Sequence, residues 1–486
     1  MGLGGGEGLK GARVVLVAVL FSAVFTGGNA QGLVPAIITF GDSAVDVGNN
    51  DYLPTIFRAD FPPYGRDFTN HQPTGRFCNG KLATDITAET LGFTKFPPAY
   101  LSPEASGSNL LLGANFASAA SGYYDHTAIA YLLHGRFRGV LTRSDHALFK
   151  RTGSNMVDHI SGHVTRLYDD KLAIERHAIP LPQQLEYYKE YQSKLAQVAG
   201  SKKASSIISE ALYILSAGSS DFVQNYYLNP WLNKVYSPDD FSSILIGIFS
   251  SFIKFLRAMQ TGLPSLRGVP APFSRRASIA VTLHWSGAGA ACAGAGPMGL
   301  CGVLARTVAR VMVGKELRGF KRQRMEEIKL EMDYHIWDLH GLGARKIGVT
   351  SLPPFGCLPA TITLFGGGSN DCIQNLNNDA KNFNQKLTAE VNSLTKQYSD
   401  LKLVVFDIYK PFYDLVQSPS KYGFFEARKG CCGTGTVETS VLCNPKSPGT
   451  CKNATGYVFF DSVHPSQAAN QVLADSLIID GIGLIG

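Results

Sequence analysis

The strongest constraint on this chain is the run Ala36-Ile37-Ile38-Thr39-Phe40, which stops abruptly at Gly41-Asp42-Ser43. A short, continuously apolar and β-branched run bounded by turn residues reads as a strand buried on both faces, and such strands belong to parallel sheets covered by helices. Open α/β sheets bind and react at the carboxyl ends of their strands, where the loops converge on a crevice. Ser43 stands at that position, which makes it a candidate nucleophile. A serine hydroxyl needs a base to take its proton and a third group to orient that base. Near the other end of the chain, Phe460-Asp461-Ser462-Val463-His464-Pro465 places a carboxylate and an imidazole three positions apart. In a turn or at a helix start, Asp461 can bond one ring nitrogen of His464 while the other faces Ser43.

The rest of the chain alternates strand and helix signals. After the first strand, Asn115–Ala117, Leu212–Leu215, Lys346–Thr350 and Lys402–Phe406 read as strands followed by turn chemistry. Helical periodicity runs through Pro182–Val198, Asp239–Phe255, Asp379–Tyr398 and Pro465–Leu477. This alternation predicts an α/β fold, a three-layer α/β/α sandwich around a parallel sheet of roughly five strands.

Four segments together carry a family resemblance: FGDSAVDVGNN (Phe40–Asn50), GANFASAASGY (Gly113–Tyr123), SAGSSDFVQNY (Ser216–Tyr226) and FFDSVHPSQA (Phe459–Ala468). The chain resembles the plant GDSL esterase/lipase family of the SGNH hydrolase superfamily. The resemblance implies a nucleophile at Ser43, a general base at His464 and an orienting Asp461. It also implies an oxyanion hole built from the backbone N–H groups of Ser43 and Gly122. The third donor in the family is an asparagine in a Gly-x-Asn-Asp segment; here Gly218-Ser219-Ser220-Asp221 puts Ser220 in its place. The implied activity is hydrolysis of carboxylic esters, of small molecules or lipids, through an acyl-enzyme that needs no metal or organic cofactor. Two variants stay open: an extracellular transacylase that passes the acyl group to another alcohol, and a lipid- or glycan-binding relative that has lost turnover.

Residues Met1–Ala30 have the form of a secretory leader, with Lys10 and Arg13, an uncharged apolar run from Val14 to Phe25, and small residues before Gln31. That run is too short to span a bilayer. A secreted, extracellular destination at the cell wall follows, and with it pairing of most of Cys78, Cys357, Cys372, Cys431, Cys432, Cys443 and Cys451. Their connectivity is not set by spacing. The dense Cys431–Cys451 group reads as a stapled loop ahead of Asp461, and the absence of Cys-x-x-Cys argues against zinc. Asn453-Ala454-Thr455 is a glycosylation acceptor in that loop region.

Two stretches, about 129–176 and 255–340, interrupt what otherwise reads as a single hydrolase domain over 31–486. They hold about 20 of the 45 Lys and Arg and about 11 of the 38 acids, so they carry about +9 and the remainder about −2. The overall +7 is therefore no reason to expect nucleic acid as a partner of the hydrolase body. Both stretches read as disordered insertions, either translated non-coding sequence or late additions. His134, His146, His159 and His163 in the first lack acidic or cysteine partners for a metal. The uncharged run Ala277–Ala305 in the second is too rich in Gly and Ala for a membrane span, Cys292 and Cys301 read as bystanders, and Arg306–Lys329 is a basic helix-like segment.

Overall fold

The computed structural model describes residues 32–128, 178–228, 232–254 and 339–485. The leader, the histidine tract, the Gly/Ala-rich run, Cys292, Cys301 and the basic segment all lie outside them.

Five parallel strands form the central sheet: β1 (Ile37–Gly41), β2 (Gly113–Asn115), β3 (Leu212–Ser216), β4 (Lys346–Thr350) and β5 (Lys402–Phe406). Their order is β2-β1-β3-β4-β5. Because β2 lies on one side of β1 and β3 on the other, the winding reverses at β1, and the crevice beyond β1 and β3 is the switch point where α/β folds bind ligands. Register is uniform, with Ile37 beside Gly113 and Leu212, and Gly41 beside Ser216.

The alternation of side chains along the strands fills two layers. On one face Ile37, Leu212 and Ile214 pack with Leu91 and Leu477, which belong to or adjoin the helices Ala83–Thr90 and Gln467–Asp480. On the other, Phe40 meets Phe116, Tyr188 and Phe252 with ring centroids 5.3, 5.6 and 5.7 Å apart, bringing in the helices Leu181–Ala199 and Pro238–Ile253. Such ring pairs add roughly 1 kcal/mol each beyond the area they bury. The helix Gln374–Gln397 lies against Pro238–Ile253. The result is the α/β/α sandwich expected from the alternation.

Several element boundaries differ from the sequence reading: the helix read from Asp379 begins at Gln374, and two further shifts concern the second strand and the last long helix. The second strand is Gly113–Asn115, not Asn115–Ala117. The Asn115 side chain accepts the Ala117 N–H at 3.0 Å, while Phe116 and Ser118 still donate to the Thr39 and Gly41 carbonyls of β1 beyond the strand's end. The last long helix starts at Gln467 and not Pro465, since Pro465 still bridges to Phe459 and Ser466 caps the helix by accepting the Ala469 N–H.

A second, two-stranded sheet pairs β6 (Glu426–Gly430) with β7 (Tyr457–Phe459). The loop between them carries the disulfides Cys431–Cys451 and Cys432–Cys443, and Cys357–Cys372 closes a third loop. Cys78 is buried as a free thiol. Among the described residues no helix is long and apolar enough to cross a membrane.

The body meets itself across both interruptions. The Ala178 N–H donates to Ala128 O at 3.0 Å, and the Leu339 N–H donates to Phe252 O at 3.1 Å. Leu339 is fully buried and His340 bonds Asp400, so these last two residues of the second stretch pack as part of the body.

Candidate active site

β1 delivers Ser43 by a turn that is fixed from three sides. Gly41 has φ +142°, and a Cβ there would collide with the Ser216 carbonyl of β3, so only glycine lets the two strand ends approach. Gln184 donates to Gly41 O and accepts from Gly41 N, each at 2.9 Å, while the Asp42 N–H donates to Ser216 O at 2.9 Å. The Asp42 carboxylate then accepts the Ala44 N–H at 3.0 Å. Ser43 at the apex is half-buried.

The remainder of the first motif binds the loop that follows β2. Asp46 accepts N–H groups from Gly48, Asn49 and Ala119 at 2.8–2.9 Å. Asn49 Nδ2 donates to the carbonyls of Asn115 and Ala117, and Asn50 Nδ2 to that of Ala119. The spacing in FGDSAVDVGNN thus fastens the Gly122 loop to the Ser43 turn.

Gly122 is held from the β3 side. A Cβ on it would collide with the Asp221 carboxylate, which accepts the N–H groups of Tyr123 and Tyr124 at 2.7 and 3.1 Å and the Thr127 hydroxyl at 2.6 Å. Ser220 precedes Asp221 at the start of a π-helical turn, Asp221–Tyr227, and is buried. Among the described residues no protein acceptor takes the N–H of Ser43 or Gly122. Asp42 and Asp221, which sequence reasoning passed over, therefore tie these segments together: the Asp42 backbone N–H joins the turn after β1 to the end of β3, and the Asp221 carboxylate joins the loop after β2 to the one after β3. Their signal was adjacency: each is the neighbour of a candidate site residue.

β7 leads into the turn of Asp461 and His464. His464 Nε2 lies 2.8 Å from Ser43 Oγ, and His464 Nδ1 lies 2.8 Å from Asp461 Oδ2. Asp461 Oδ1 accepts the N–H groups of Val463 and His464, which shapes the three-residue spacing into one turn. Asp461 is fully buried. Burial alone would raise its carboxyl, but the neighbouring His464 and the hydrogen bonds it accepts hold it below the ordinary carboxylate range. Burial pushes Asp42 up to about 7, against the Ala44 N–H, the His464 charge and the Ser220 N–H; burial pushes Asp221 up to about 6.

The structure thus brings Ser43, His464 and Asp461 into one hydrogen-bonded line and sets Gly122 and Ser220 on the loops bound to it. An imidazole within reach of a half-exposed hydroxyl, backed by a buried ionised carboxylate, can take a proton from that hydroxyl as it attacks a carbonyl. Asn453 lies on the exposed surface, its Oδ1 accepting the Thr455 N–H at 2.9 Å.

Comparison with known proteins agrees. The model of the GDSL-like lipase/acylhydrolase family matches residues 37–277 and 319–477. GDSL esterase/lipase APG of Arabidopsis thaliana is 52% identical over 455 residues, covering 93% of each chain. Two further GDSL esterase/lipases of the same plant are 46% and 42% identical, covering 94% and 97% of this chain and 91% and 96% of their own. By its strand order, its motifs and its relatives, this chain belongs to the GDSL esterase/lipase family, hydrolases that act on ester bonds.

Proposed function

We propose that the protein is a secreted serine esterase or lipase that cleaves carboxylic esters, of small molecules or lipids, by two-step acyl transfer. His464 takes the Ser43 proton as Oγ attacks the ester carbonyl. Asp461 orients the ring and stabilises the imidazolium. The N–H groups of Ser43 and Gly122, with the Ser220 hydroxyl, receive the oxyanion, where a well-placed donor is worth about 3 kcal/mol. The alcohol departs with the proton from His464, and water activated by the same imidazole releases the acid.

The observation that carries this reading is the unbroken line from Ser43 Oγ through His464 to Asp461, each step 2.8 Å. Secretion rests on the leader-like Met1–Ala30, and a glycan on Asn453 would be consistent with it. Covalent labelling by a fluorophosphonate tests the assignment, since it requires an activated serine and not merely a cleft. Labelling of the wild type that is lost in Ser43→Ala supports it; no labelling of a folded wild type favours a binding protein that has lost turnover.

A further inference from the structure

Asp461 is held by two hydroxyls that lie outside the triad and outside every matched motif. Tyr64 Oη donates to Asp461 Oδ2 at 2.8 Å, and Thr439 Oγ1 donates to the same oxygen at 2.9 Å. His464 Nδ1 reaches that oxygen at 2.8 Å, so three donors converge on Oδ2. We propose that Tyr64 and Thr439 are positioning residues that set the rotation of the Asp461 carboxylate and limit how much of its charge falls on His464. The proposal rests on the triad reading above.

Each hydroxyl is held in place by its own surroundings. Tyr64 is fully buried among Phe61, Phe77 and Phe460, at ring separations of 6.0, 5.7 and 5.5 Å, and Phe77 in turn lies 4.9 Å from the His464 ring. Its oxygen accepts the Ser440 N–H at 2.8 Å, which leaves its one proton directed at Asp461. Ser440 is a non-glycine residue at φ +51°, with its own hydroxyl donating to Ile56 O at 2.7 Å. Thr439 lies inside the loop closed by Cys432–Cys443. Through this one oxygen the carboxylate is tied both to the segment that carries Tyr64 and to the stapled loop.

A carboxylate surrounded by donors keeps its charge but shares it. Removing one hydroxyl leaves more of that charge to the imidazolium and lets the carboxylate turn. The ionisable groups around His464 are Asp461 in its own turn, Asp42 after β1, Tyr64 from the segment before the helix Ala83–Thr90, and Cys78 beyond Asp461; the Glu438 carboxylate is turned toward Thr434. Of these, the substitutions below alter only Tyr64.

The test is Tyr64→Phe and Thr439→Val, with Thr439→Ser as the conservative rescue. Both keep the buried shape, and melting curves check folding. The kcat and KM for a short p-nitrophenyl ester are measured between about pH 5 and 9, beside wild type and Ser43→Ala. The proposal predicts a fall in kcat of about tenfold, KM within about twofold, and an acid limb of kcat/KM moved to higher pH, with Thr439→Ser returning to wild type. A lowered melting temperature with kcat and the acid limb unmoved would make both hydroxyls merely structural and overturn it. Wild-type activity that survives Ser43→Ala would take down the triad reading and this proposal together, so the two failures are distinguishable.

Discussion

The carboxylate of Asp221 rests directly against the Cα of Gly122, while its oxygens hold the next two backbone N–H groups and the Thr127 hydroxyl. Gly122 is required here because no side chain fits under that carboxylate, and displacing it would move the N–H assigned to the oxyanion. Gly122→Ala should therefore lower kcat on an ester by about a hundredfold or more and also reduce the melting temperature. Steady-state kinetics and a thermal melt on one preparation check both.

Four buried or half-buried carboxylates should make stability fall as the pH rises through neutrality. Burial raises Asp42 and Asp51 to about 7 and Asp46 and Asp221 to about 6, from an ordinary 3.8. A carboxyl with a raised folded-state pKa contributes stability that is complete below its unfolded value and is lost as pH rises through the folded one. Asp461 and Glu438, shifted down, contribute in the opposite sense, but only below about 4. Between pH 5 and 8 the melting temperature should therefore fall by at least a few degrees. Asp42→Asn should shrink that fall, as scanning fluorimetry across the range would show.

The two disulfides between β6 and β7 hold the loop that supplies Thr439 to Asp461. Cys432–Cys443 closes a loop of 11 residues' separation, for which chain entropy gives about 3 kcal/mol. Replacing both cysteines by serine should lower stability by about that much and reduce kcat more than it raises KM, because the loop faces Asp461 and lies behind the site. Denaturant melts with parallel kinetics check this.

The hydrogen bonds from Ala178 to Ala128 and from Leu339 to Phe252 join the body across both interruptions. We propose that residues 31–486 form one hydrolase domain into which the two stretches are inserted. A chain lacking 129–176 and 255–338 should fold cooperatively and keep Ser43-dependent activity, provided that Leu339, which is buried, is retained. A melt without a cooperative transition would show that the stretches are needed.

Much of this architecture was legible because its signals are local. The β-branched runs at Ile37–Phe40, Leu212–Leu215, Lys346–Thr350 and Lys402–Phe406 are buried strands with little alternative, and the Ser43 and Asp461–His464 segments stand at element ends where chemistry gathers. The second strand lies two residues earlier than its apolar run suggests, and past Asn115 the chain stays bonded to β1 through Phe116 and Ser118. Tyr64 and Thr439 were invisible for a different reason. Their contact with Asp461 spans 397 and 22 residues respectively, and neither belongs to a spacing that any periodic pattern would mark. Asp42 and Asp221 stand beside candidate site residues in the sequence, but what they brace belongs to other strands.

Everything proposed for this site depends on Ser43, activated by His464, being the nucleophile. The most direct test of that role is the initial rate of p-nitrophenyl butyrate hydrolysis by the secreted wild type and by Ser43→Ala, prepared together and shown by melting to be equally folded. Removal of that one hydroxyl should lower kcat by about a thousandfold or more. Hydrolysis by Ser43→Ala at close to the wild-type rate would contradict it.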